Sequence, residues 1–173
     1  DDVICAYKKI IEDASYRNFS TDDIVVAGAS AGGHLALMVG LSANYKNKEC
    51  SEEIPPKAII NIFGITEIKQ TSAFLDKTKF FNASNYVKRW IGSDENIDKI
   101  SDTLSPVNLL DGINTNVLTI HGTKDRWVPY EQATLLEKSL GENHQLLTID
   151  GGGHYYFSEE EDDIIRQTIS SFF

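Results

Sequence analysis

Three side chains in this sequence have the types and the spacing for nucleophilic acyl chemistry: Ser30, Asp125 and His154. Ser30 stands in Gly28-Ala29-Ser30-Ala31-Gly32, a G-x-S-x-G pattern that chance alone would put in about one chain of this length in twenty. Its setting adds weight. An apolar, β-branched run leads straight into Gly28, and a helical pattern starts at Ala31. A serine at so sharp a strand-to-helix turn is held in a strained backbone that lifts its hydroxyl clear of the sheet. Residues two away must be small, so that strand and helix can pack beside the turn, and Gly28 and Gly32 meet that demand. The plain alternative is a glycine-rich turn with an incidental serine. A phosphate loop finds no support, because neither G-x-G-x-x-G nor a lysine-bearing P-loop pattern is present.

A serine hydroxyl is a weak nucleophile unless a base lies within hydrogen-bond reach. Of the four histidines, His154 is the candidate. It follows Gly151-Gly152-Gly153 at the C-terminal end of an expected strand, the edge where parallel sheets bind ligands. His144 opens the same strand at the opposite edge and reads as a surface residue. His34, on the first turn after Ser30, reads as a packing or hydrogen-bonding residue. His121 ends an earlier strand and could line the site, although a structural hydrogen bond is the favoured reading. The base in turn needs an acid to fix its tautomer and balance the imidazolium. Asp125, in His121-Gly122-Thr123-Lys124-Asp125, is preferred; Asp150, four residues before His154, is the rival. Serine, acid, histidine is also the chain order of one fold that carries this chemistry.

These residues need a scaffold, and the hydropathy pattern supplies one. Val3, Ile4, Tyr7, Ile10, Ile11 and Ala14 form one face of a helix that ends near Asn18. Residues 24–28, 58–64, 117–122 and 145–149 read as strands, the first of them apolar throughout and so expected to be buried on both faces. Helices are expected from 31 to about 43, over 130–140 and over 158–173, the last with an acidic first turn. Alternating strand and helix is the signature of a parallel sheet covered on both sides, an α/β fold with about four strands here. Residues 65–104 break the alternation. They are long for a connection, partly helical in pattern and rich in aromatics (Phe74, Phe80, Phe81, Tyr86, Trp90), and are expected to form a cap-like insertion over the site.

Composition narrows the function further. The net charge of -10 argues against nucleic acid, whose phosphates a basic surface must neutralise. No stretch approaches the roughly eighteen consecutive apolar residues of a membrane span. Cys5 and Cys50 are too few and too far apart for a disulfide framework or a metal knuckle, and are expected to be free or buried thiols. The compartment stays open, with a soluble, cytoplasmic protein slightly favoured.

Taken together, Gly28-Ala29-Ser30-Ala31-Gly32-Gly33-His34-Leu35-Ala36, Ser105-Pro106, His121 to Asp125 with Val128-Pro129, and Gly153-His154 resemble the carboxylesterase kind of α/β-hydrolase. The form G-x-S-A-G-G-H-L-A is most similar to the bacterial esterase group that includes acetylxylan and feruloyl esterases. The resemblance implies hydrolysis of a small-molecule carboxylic ester through an acyl-enzyme, without metal or organic cofactor. An amidase or peptidase on the same fold, or a binding protein that kept the scaffold, are the alternatives. It also implies an oxyanion donor in the backbone amide of Ala31, and Ala29, Trp127 and Val128 are the expected substrate contacts. The second donor of that family comes from an H-G-G-type loop upstream of the nucleophile strand, and no such loop occurs here. Only the C-terminal portion of the fold is therefore expected in residues 1–173, with about a hundred residues of a usual member lacking. A missing N-terminal segment or another chain is expected beside the strand at 24–28, because an unpaired apolar edge invites pairing.

Overall fold

In the computed structural model, residues 2–41, 43, 50, 54–78, 85–92, 96–155 and 157–173 are described. Their elements run α1 (Asp2–Tyr16), β1 (Val25–Ala29), α2 (Ala31–Gly40), β2 (Ala58–Ile62), α3 (Ile68–Thr78), α4 (Tyr86–Ile91) and α5 (Ile97–Leu104). A 3-10 turn at Pro106–Leu109 then leads to β3 (Asn116–Gly122), α6 (Glu131–Leu140), β4 (His144–Ile149) and α7 (Glu159–Ser171). The four strands are all parallel and lie in sequence order, β1-β2-β3-β4. An α/β fold of four parallel strands flanked by seven helices is thus the observed architecture among the described residues.

Alternate residues of the strands face opposite sides. Ile59 and Val117 sit on one face with Ile4 of α1, Leu37 of α2, Leu41 at the end of that helix, and Leu136 and Leu140 of α6. Ile60, Leu118 and Ile120 sit on the other with Ile149, covered by Ile165 and Ile169 of α7. This two-sided burial explains the near-continuous apolar runs of β2 and β3. The acidic start of α7 carries a capping box: the Ser158 hydroxyl accepts from the Glu161 amide, and the Glu161 carboxylate accepts from the Ser158 amide. Among its described residues the 65–104 segment carries three helices (α3, α4, α5), and its Ile65, Ile68 and Val87 form a small core with Val128. Phe80 and Phe81 lie outside the described residues. No helix of the described residues is long and apolar enough to cross a membrane.

Three expectations are corrected. Strand β1 is not buried on both faces; none of its residues is fully buried, because it is the edge strand and only β2 pairs with it among the described residues. The cysteines are not free thiols: Cys5 and Cys50 form a disulfide with Cα atoms 5.1 Å apart. It joins α1 to the segment after α2, a pairing set by packing and not by a spacing motif. His144 is not a plain surface residue, since its side chain folds back over β3 and pairs through Nε2 with the Thr119 hydroxyl at 2.8 Å. Burial pushes its imidazole down to about 4.

Candidate active site

The C-terminal ends of β1, β3 and β4 deliver the three candidate side chains to one edge of the sheet. Ser30 follows β1 directly and caps α2 with φ 56° and ψ -120°, a left-handed conformation that costs about 1–2 kcal/mol for a residue with a side chain. Two bonds hold the turn: the Ser30 amide donates to the Ile62 carbonyl at 2.9 Å, and the His34 amide donates to the Ser30 carbonyl at 3.1 Å. Gly28 is required by close approach, since a Cβ there would lie 2.1 Å from the Gly32 carbonyl oxygen. Gly32 itself is under no such constraint, because a Cβ there meets open space.

The Ser30 hydroxyl lies 2.9 Å from His154 Nε2, and His154 Nδ1 lies 2.7 Å from Asp125 Oδ2. An ionised carboxylate only accepts, so Nδ1 carries the proton and Nε2 is free to accept from the serine. His154 sits in the loop after β4. That loop approaches the end of β3 so closely that a Cβ on Gly122 would fall 2.3 Å from the Gly152 carbonyl oxygen.

Asp125 is anchored from several directions. Its Oδ1 accepts from the backbone amides of Trp127 (2.8 Å) and Val128 (2.9 Å). Its Oδ2 also lies 3.4 Å from Nε2 of His121, which donates to the Val128 carbonyl at 3.0 Å. Burial alone would raise the carboxyl, yet the hydrogen bonds from His121, His154 and the Val128 amide outweigh it and hold Asp125 at about 2, below its ordinary 3.8. The site therefore keeps a buried carboxylate ionised beside the imidazole. Asp150 is exposed and accepts instead from the Thr123 hydroxyl at 3.1 Å.

The other histidines fall into place. His121 makes the structural hydrogen bond, and its buried Nδ1 has no partner among the described residues. His34 bonds through Nδ1 to the Ile65 carbonyl at 3.0 Å and meets the Trp90 ring edge-on at 5.2 Å.

Beside the serine, Ala31, His34, Leu35, Ile65, Tyr86 and Trp90 line a cavity of about 250 Å³. Ala29 is an exposed strand end outside this lining. Trp127 has its ring 6.4 Å from that of His154, and its carbonyl accepts from the Tyr86 hydroxyl at 3.0 Å. Val128 is buried in the small core of the 65–104 segment, with its backbone amide serving Asp125. Tyr86 and Trp90 are two of the aromatics of the 65–104 segment expected over the site, whereas Leu35 and Ile65 were not singled out as pocket residues; Leu35, a large apolar side chain left exposed, is the one the fold marks. Among the described residues no group of three or more His, Cys, Asp or Glu side chains converges to hold a metal ion.

Comparison with known proteins agrees with this architecture. Esterase LipC of Mycobacterium tuberculosis is 29% identical over 126 residues, which cover 68% of this chain and 28% of LipC. Esterase B from Lactobacillus rhamnosis superposes with a TM-score of 0.70 at 16% identity, over 99% of this chain and 58% of that one. A puromycin-hydrolysing peptidase of Mycobacterium tuberculosis superposes with a TM-score of 0.66 at 22% identity, over 84% of this chain and 20% of the other. The chain thus spans little more than a quarter of the length of the curated relative. These structural likenesses establish an α/β-hydrolase fold, and the match of residues 1–140 to BD-FAE establishes that the chain belongs to that family.

Proposed function

We propose that this chain carries the catalytic centre of a serine hydrolase that cleaves small-molecule carboxylic esters through an acyl-enzyme. The observation that carries the reading is the hydrogen-bonded line from the Ser30 hydroxyl through His154 to Asp125. In the proposed cycle His154 Nε2 takes the Ser30 proton as the oxygen attacks the ester carbonyl. The ionised Asp125 holds the resulting imidazolium. The carbonyl electrons move to oxygen, and the Ala31 amide, which as the first residue of α2 has no acceptor within its own helix, donates to that oxyanion. The imidazolium then protonates the departing alcohol. Water, deprotonated by the same nitrogen, attacks the acyl-serine, and the returning proton restores Ser30.

In this reading the cavity bounded by Ala31, Leu35, Tyr86 and Trp90 receives the acyl group, with the 65–104 segment as the cap that shapes it. Ala29, next to the serine in the chain, and Trp127, near the imidazole, border the approach to the bond in this reading. A second oxyanion donor and a strand beside β1 are supplied by a further segment, of the same protein or of another chain. The edge of β1, which among the described residues is paired on one side alone, supports this, as does the greater length of the relatives. The likeness to Esterase LipC supports an ester as substrate, whereas the peptidase likeness extends only to fold.

The test is a substrate panel on the full-length protein, pairing p-nitrophenyl acetate and butyrate with the corresponding p-nitroanilides. Ester turnover that is abolished by Ser30→Ala is the expected result. Anilide cleavage outrunning ester cleavage would make the protein an amidase, and turnover that survives Ser30→Ala would remove Ser30 from the mechanism.

A further inference from the structure

Phe63 is the residue whose conformation the fold alone does not explain. It follows β2 with φ 42°, in the left-handed region that aromatic residues rarely occupy, and it is 5% exposed. Its backbone is tied down on both sides. Its own amide donates to the Ile120 carbonyl of β3 at 2.8 Å, and the carbonyl of its neighbour Ile62 accepts from Ser30. The chain then turns sharply, with the Gly64 amide on Asn61 Oδ1 at 3.0 Å and no room for a Cβ at Gly64. A turn of this kind is the natural place for glycine at a positive φ. A phenylalanine there carries a backbone penalty that its ring must offset.

The ring is placed against the proposed base. Its centroid lies 4.5 Å from that of His154, with planes inclined by 50°. It also reaches Tyr155 at 6.0 Å and Phe157 at 6.2 Å, the residues that follow His154 in the same loop. Tyr155 itself meets the imidazole edge-on at 4.4 Å. Asp125 fixes His154 at one atom, Nδ1, about which the ring can still swing. A tilted aromatic ring packed against the imidazole limits that freedom and keeps Nε2 on the line to Ser30.

We propose that Phe63 is a positioning residue for His154, held in a strained backbone so that its ring braces the imidazole. Through Ile62 and Phe63 the end of β2 then sets both the serine turn and the orientation of the base, which fixes their relative distance. The inference rests on the reading of His154 as base, and its test separates the two.

The experiment compares Phe63→Ala, Phe63→Gly, Phe63→Leu and Phe63→Tyr in the full-length protein. With the ring gone, kcat should fall by about tenfold to a hundredfold with KM within about twofold, the scale for a reacting group displaced by around an ångström. Phe63→Tyr should restore most of kcat. The downfield proton resonance of His154 Nδ1–H, which requires the imidazole to be held on Asp125 and shielded from exchange, should be lost in Phe63→Ala and kept in Phe63→Tyr. Glycine normally destabilises relative to alanine; here Phe63→Gly should be at least as stable as Phe63→Ala, because it relieves the positive φ. Should Phe63→Ala not fold, Phe63→Leu, which keeps apolar bulk but no flat face, carries the same kinetic and spectroscopic expectation. Wild-type kcat and an unchanged resonance in the ringless variants would overturn the proposal, whatever the role of His154. Failure of a fluorophosphonate to label wild-type Ser30 would instead strike the reading beneath it, and the resonance would still report whether Phe63 holds the imidazole.

Discussion

Replacing Asp125 with asparagine changes one atom and one charge while leaving the shape of the site nearly intact. The new side chain can still accept from the Trp127 and Val128 amides through its oxygen, so the loop between β3 and α6 should keep its path. What changes is the group facing His154 Nδ1. An amide nitrogen there donates where the carboxylate accepted, so the imidazole carries its proton on Nε2 and cannot take one from Ser30. A tautomer reversal of this kind lowers kcat by roughly 10⁴, or about 5 kcal/mol of barrier. KM should stay near the wild-type value, because Asp125 is buried behind the base. Stability should fall as well. The carboxyl sits at about 2 in place of 3.8, a native-state preference for the ionised form of about 2 kcal/mol. For a depressed carboxylate this contribution is present above pH ~4 and lost as the pH falls toward ~2. Asp125→Asn should therefore lower Tm at pH 7 by roughly 4–8 °C and flatten the acid limb of the stability profile. The assay is kcat and KM on p-nitrophenyl acetate with the full-length protein, beside urea melts from pH 7 to pH 2. A kcat within about tenfold of wild type would refute the reasoning. A large loss in Asp150→Asn instead would hand the role to Asp150, which here accepts from the Thr123 hydroxyl.

Other consequences are equally open to measurement. Trp90→Ala, which opens one wall of the cavity, should shift the ratio of kcat/KM toward longer acyl chains by roughly tenfold while sparing acetate; an unchanged ratio would remove Trp90 from acyl selection. Gly28→Ala forces a Cβ to within 2.1 Å of a backbone oxygen and should cost more than about 2 kcal/mol in urea unfolding; unaltered stability would mean the turn is looser than described. Cys5→Ser should lower stability by roughly 2–4 kcal/mol, given the 45-residue separation of the bridged cysteines, and reductant should reproduce the loss; indifference to both would contradict the disulfide.

The candidate site was legible in the sequence because each of its residues is tied to the end of a strand. Ser30, Asp125 and His154 stand just beyond the apolar runs that became β1, β3 and β4, and parallel strands bring such positions to one edge whatever the intervening chain does. The strand limits moved by only a residue or two at most ends, since apolar runs mark strand interiors better than their ends. Features set by packing were not legible. The pairing of Cys5 with Cys50 depends on where α1 comes to rest, and the cavity depends on α4 laying Tyr86 and Trp90 beside Ala31 and Leu35. The bonds from His144 to Thr119 and from Asn61 to Thr119 cross three strands, and their partners are 25 and 58 residues apart. Phe63 is the instructive case. Local preference would place glycine at its φ, and it is tertiary contacts, with His154, Tyr155 and Phe157, that occupy the aromatic ring there.

The central claim is that Ser30 is the nucleophile, and covalent trapping tests it most directly. The full-length protein is treated with a fluorophosphonate, digested, and the phosphonylated peptide located by mass spectrometry. We expect a single adduct on Ser30, formed at a rate that collapses in His154→Ala and Asp125→Asn. An adduct on another serine, with Ser30 unmodified, would contradict the account.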